Sequence, residues 1–272
     1  MHRNVDPEAA EAPLGEVMGR WQRLLKKIRR SAGAVRDLDV HRGLIADLLK
    51  DAAKARPVPD SAVLESDTEG VPQSPAPAVP LQTPLKKQAE DLDAWLRHTR
   101  HEHSQPLVDG AKKWADKLEA HLVAFTEALE AHPAPRRRPA SAAITALEAF
   151  ARLCSEMQQL YVDNLHDFRK GAKKARYMAE TGGEDEYAGA VGKALKRLQD
   201  EIGDWHDWLV LAEEAHRALG DQGAELIARI EHKREQHYTS AMKTAERMRG
   251  RLMGEWRASA SRPRRAAFPK QL

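Results

Sequence analysis

The chain has 272 residues, 42% hydrophobic and 31% charged, with a formal net charge of +3 and a single cysteine, Cys154. That length holds one large domain or two modest ones, and the apolar share is enough for a buried core. One cysteine excludes a disulfide scaffold, and the lack of any run of about 18 apolar residues excludes a transmembrane helix.

No charged-then-apolar leader is expected in Met1–Gly19, which Pro7 and Pro13 interrupt, so the expected setting is a reducing cytoplasm. Alternating β-branched runs bounded by hairpin dipeptides are nearly absent, whereas apolar residues recur at three and four throughout. The reading is all-α.

The first predicted helix, 14–32, aligns Trp21, Leu24, Leu25 and Ile28 on one face and Arg23, Lys26, Lys27, Arg29 and Arg30 on the other. No acid stands between Val17 and Val35, so pairing within the helix cannot cancel this charge. Gly33 is expected to end it, and a second helix, 36–54, follows with Arg36 and Asp37 at its start. Seven prolines from Pro57 to Pro84 mark 56–84 as a Pro-rich linker insert.

Helices over 84–104 and 106–131 are separated at Pro106. His98 and His101 have spacing that could reach one metal ion, but no cysteine or carboxylate pair completes a site, so no metal is expected. His132 to Pro139 forms the next boundary. Helices follow over 140–154, 156–180 (ended by Thr181-Gly182-Gly183), 186–202, 204–219 (ended by Leu219-Gly220) and 222–258, then a basic tail, 261–272. The expected halves are 1–131 and 140–260, together one domain.

Sliding the chain by 170 positions aligns Arg23-Leu24-Leu25-Lys26-Lys27-Ile28 with Lys193-Ala194-Leu195-Lys196-Arg197-Leu198. In the same register Gly33 meets Gly203, Asp37 meets Asp207, and Val40 meets Val210. Each copy reads as a basic amphipathic helix, a terminating glycine, and an aspartate entering the next helix. Two related helical halves are expected.

The segment Asn164–Tyr177 carries the sharpest pattern. At 100° per residue, Leu165, Phe168, Ala172, Ala175 and Ala179 form one narrow arc. His166, Arg169, Lys170, Lys173 and Arg176 form the adjoining arc, beside Lys174. Cations three and four apart repel by a few tenths of a kcal/mol each, so a use for them, such as an extended polyanion, is expected. The bland alternative is that acids of neighbouring helices neutralise the row. Beside it, His166 is expected to add charge as pH falls through its ordinary range.

Gly33-Ala34-Val35-Arg36-Asp37-Leu38-Asp39-Val40 resembles the first-half signature of the CHAD domain, the conserved histidine α-helical domain. Leu165 to Tyr177 is similar to that family's second-half histidine helix, and Leu195 to Gly203 followed by Asp207 to its L-K-x-L-Q motif. The resemblance implies two antiparallel helical bundles related by a pseudo-two-fold axis. It further implies a basic surface or channel between them that binds inorganic polyphosphate, in proteins often associated with polyphosphate granules. Arg169, Lys173, Lys174 and Arg176 would then face Lys26, Lys27, Arg29 and Arg36, with Arg23, Arg30, Lys193, Lys196, Arg197, Lys170 and His166 contributing. Two features depart from the family pattern. The first-half counterpart of the histidine helix is not found before Gly33, where only Met1-His2-Arg3 precedes acidic, proline-broken sequence, and the Pro-rich insert is long.

The expected function is thus non-catalytic polyphosphate binding by a cytoplasmic module, of the kind targeted to polyphosphate granules, with no cofactor and no membrane partner. No nucleophile stands beside His166 and no P-loop or dinucleotide fingerprint occurs, so an enzyme is not expected. The alternative is a nucleic-acid-binding helical protein using the same cations on the phosphate backbone, although only Tyr177 interleaves with them as a stacking residue.

Overall fold

Alanine, leucine, lysine, arginine and glutamate dominate the chain and favour helix at nearly every position. The computed structural model describes residues 14–54, 84–131 and 141–261. Within them the chain is all-α: α1 (Leu14–Lys54), α2 (Pro84–Ala131), α3 (Ala142–Glu156), α4 (Val162–Glu180), α5 (Glu186–Leu219) and α6 (Ala224–Ala260), with a 3-10 turn over Gly220–Gly223. No strand occurs among the described residues, and no helix there is long and apolar enough to cross a membrane. The Pro-rich insert before Pro84, the His132–Pro139 boundary, the N-terminal residues up to Pro13 and the basic tail beyond Ser261 lie outside the described residues.

Three expected breaks are not breaks. α1 passes through Gly33, α2 through Pro106 and α5 through Gly203 without interruption. Asp37 and Asp207 therefore sit inside helices and not at helix starts. A glycine costs a helix interior only about 1 kcal/mol and a proline about 3 kcal/mol, which burial along long amphipathic faces offsets. A real break instead falls at Met157–Tyr161, where the sequence predicts a helix from 156. There the Asn164 side chain accepts from the Tyr161 N–H at 2.8 Å and donates to the Gln159 carbonyl at 2.9 Å, starting α4. Arg249 of α6 ties down the same break by donating to the Gln158 carbonyl at 2.9 Å.

The turn between α4 and α5 is where the sequence placed it. Gly183 adopts a positive φ of 58°, and a Cβ on Gly182 would stand 2.6 Å from that of Ala188. Asp185 then caps α5, accepting from the Tyr187 N–H at 2.9 Å. Gly220, with φ of 51°, ends α5 as expected.

The chain divides into two compact units: Met1–Ala134 with Glu213–Arg229, and Pro135–Ala212 with Ile230–Leu272. Glu213–Arg229, expected in the second half, thus goes with the first unit. In that unit α1 and α2 run antiparallel, as Arg100 on Asp39 (2.6 Å), Arg42 on Asp93 (2.7 Å) and Lys27 over the Trp114 ring show. Glu213–Arg229 closes one end of the pair: His41 Nδ1 lies 2.7 Å from Glu214 Oε2, at ion-pair distance but not aligned as a hydrogen bond, and Gln88 bonds Gln222 and Leu226.

The second unit has the denser core. Phe150, Leu165, Phe168, Leu195, Leu198, Ile202 and Trp205 are wholly buried among the alanines of α3, α4 and α6. Phe150 and Phe168 meet edge to face, with ring centroids 5.8 Å apart.

Candidate functional site

In the second unit, burial of the α4 stripe orients the cations beside it. Leu165, Phe168, Ala172, Ala175 and Ala179 are all buried, as the 100° spacing requires. Gly171 lets α4 approach α3, since a Cβ there would stand 2.5 Å from Leu153 Cδ1. With that face locked, His166, Arg169, Lys173 and Arg176 occupy one fixed line along the helix, half-buried, and Lys170 and Lys174 lie further out in solvent.

Each of these cations meets a different environment. The Arg169 side chain crosses to α5, where its Nε donates to the Gln199 carbonyl at 3.0 Å. That carbonyl points along the helix toward residue 203. The absence of a side chain there makes room, for a Cβ on Gly203 would stand 3.0 Å from Arg169 Nη2. Gly203 is therefore a docking gap for an arginine and not a helix end. Asp204 next to it has its carboxyl pushed up by burial, with His237 and Arg169 pulling it back. Lys170 pairs with Asp167 at 2.6 Å, and Arg176 Nε lies 3.4 Å from Glu180, without hydrogen-bond alignment. Lys173 and Arg176 flank the exposed ring of Tyr177, at 5.7 and 5.0 Å from its centroid. Partial neutralisation of the row thus comes from its own helix. Among the described residues, no carboxylate stands at ion-pair distance from Lys173 or Lys174.

His166 packs against His206 of α5, with ring centroids 4.1 Å apart and the planes tilted by 35°, and its Nδ1 is buried without a hydrogen-bond partner. Burial, aided by Lys170 and Arg169, holds His166 below the ordinary histidine value. This corrects the expectation that it titrates in its ordinary range. The Gln199 side chain is likewise buried, with Oε1 unpaired. Nothing in the local sequence marks His206 as the partner of His166, and only the crossing of two helices brings the rings together.

Of the α5 cations, Lys193, Lys196 and Arg197 are exposed, with Lys196 held by Asp200 at 2.5 Å. Lys193 and Lys196 line a shallow pocket with Glu180, Gly183 and Gly192, where α4 ends and α5 begins. On α1, in the other unit, Arg23, Lys26, Lys27, Arg29, Arg30 and Arg36 are all exposed. Arg36 touches Asp37 at 3.4 Å, and Lys27 lies 5.9 Å from the Trp114 ring centroid. On α2, the exposed His98 faces Glu102 at 3.4 Å.

The family model described as the CHAD domain matches residues 12–216, spanning α1 through nearly all of α5. The chain belongs to the CHAD domain family. No curated protein and no solved structure matches it.

Proposed function

We propose that the chain binds inorganic polyphosphate without transforming it, through the cation row of α4 and the adjoining cations of α5. The observation that carries this reading is the pairing of a wholly buried α4 stripe with a fixed line of cations, where Lys173 and Lys174 keep their charge unpaired among the described residues. Like charges three and four apart oppose helix formation, so a row anchored this firmly has a use that outweighs its cost. Arg176 offers bidentate contact to phosphate oxygens, and the lysines add point charges along an extended chain. The α1 cations form a second basic surface on the other unit. Membership of a family associated with polyphosphate binding supports the same reading.

A nucleic-acid reading has one observation in its favour: Tyr177, exposed and flanked by Lys173 and Arg176, has the character of a base-stacking platform. Competition separates the two. Long-chain polyphosphate should displace single- and double-stranded DNA at matched charge and physiological salt, and DNA winning would overturn the proposal. Lys173→Glu with Lys174→Glu should weaken polyphosphate binding by about tenfold or more, a loss of about 1.4 kcal/mol. The same double reversal at Lys112 and Lys113 of α2 changes net charge equally and should have little effect. Equal losses would mean diffuse attraction with no defined site.

A further inference from the structure

The internal repeat carries a second consequence, which lies outside polyphosphate binding. α1 and α5 align at an offset of 170 residues, so each α5 position reports how the matching α1 position is used in a complete unit. On α5 the face Ala188, Val191, Leu195, Leu198 and Ile202 is covered in the second-unit core, and Leu195 is 0% exposed. The matching residues of α1 are Met18, Trp21, Leu25, Ile28 and Ala32. None of these is buried, and Leu25 is 39% exposed. Gly203 holds Arg169, whereas its counterpart Gly33 has nothing within 4 Å of where a Cβ would stand.

α2 continues the open face. Trp114 and Ala128 are buried, while Leu118, Leu122, Phe125 and Leu129 form a stripe rotated from them, with Leu122 52% exposed. On both helices the open stripe lies about 60–70° onward, in the sense of increasing residue number, from the buried residues Val17 and Val35 of α1 and Trp114 and Ala128 of α2. Because α1 and α2 run antiparallel, that shared rotation turns both stripes to the same side. The pair therefore presents one continuous apolar face, at the end away from Glu213–Arg229.

We propose that this face joins a second copy of the chain, making a four-helix bundle of two α1/α2 pairs about a two-fold axis parallel to the helices. Charge selects that arrangement. A perpendicular axis would lay α1 on α1, setting two acid-free stretches from Val17 to Val35 against each other. The parallel axis lays α1 of each copy on α2 of the other, whose segment level with that stretch, around Trp114, balances Lys112, Lys113 and Lys117 with Asp109, Asp116 and Glu119, so no excess of like charge is set against α1. The surface is self-complementary, as an isologous contact requires.

Sedimentation and light scattering on the full chain should give twice the monomer mass, and a monomer at up to about 100 µM would overturn the proposal, since a micromolar interface would already have formed. Leu25→Glu with Leu122→Glu, both at exposed positions, should give a monomer with unchanged helical circular dichroism. A dimer that persists in this variant would place the interface elsewhere. Cross-linking is independent of whether the variant folds. A mixture of Gln22→Cys and Glu119→Cys proteins should give a mixed cross-linked dimer with a bismaleimide. A Met18→Cys protein cross-linking to itself instead would show α1 on α1 and refute the stated axis.

Discussion

Gly203→Ala and Gly33→Ala are the same substitution at repeat-matched positions, and the structure assigns them opposite signs. Both glycines lie inside long helices, where alanine is favoured by about 1 kcal/mol. At Gly33 nothing within 4 Å opposes the new methyl group, so that gain should appear nearly whole. At Gly203 the methyl would stand 3.0 Å from Arg169 Nη2 and 3.3 Å from Nε. The guanidinium must then retreat by several tenths of an ångström from a bond to the Gln199 carbonyl that is now 3.0 Å long. Losing a hydrogen bond from a charged group costs about 1.5–3 kcal/mol, which leaves Gly203→Ala destabilising by about 0.5–2 kcal/mol. Urea unfolding followed by helical circular dichroism measures both, compared at equal slope. Arg169→Ala should remove the penalty, so the double variant should be more stable than the sum of the two singles predicts. A Gly203→Ala midpoint that rises as far as that of Gly33→Ala would refute the docking role of Arg169.

Three further outcomes are expected. Phe168→Ala, which empties a wholly buried site against Phe150, should cost about 3–5 kcal/mol in the same assay, and a loss below about 1 kcal/mol would mean the core is not packed as described. His166 is held below its ordinary value, so the unfolded chain takes up a proton more readily than the folded one, and the histidine's contribution to stability, full above about pH 6.5, is lost as pH falls through its folded pKa. Its imidazole resonance should therefore titrate below that of a free histidine, and polyphosphate should raise the midpoint; a midpoint at or above the ordinary value in the unliganded protein would contradict the packed, desolvated geometry. Burial raises the Cys154 thiol, so reaction with a disulfide reagent should follow unfolding, and rapid labelling of the native protein would show the core open there.

Periodicity alone was enough for the helical class, the buried α4 stripe and the turn at Gly182–Gly183, because each depends on residues within one or two turns of each other. The cation row was legible for the same reason: a stripe that must be buried dictates where its neighbours on the same helix point. What local sequence could not decide was whether Gly33, Pro106 and Gly203 end helices. Their cost is a few kcal/mol at most, and burial of long amphipathic faces, a sum over distant residues, overrides it. The capping of α4 by Asn164 involves no proline or glycine that would mark it in the sequence. Only the tertiary structure brought His206 onto His166, set Arg169 in the gap at Gly203, and left the α1 counterpart of a buried α5 face open. Those outcomes depend on which helices cross and where, and a repeat in the sequence shows that two segments are alike without showing that both have been given the same neighbours.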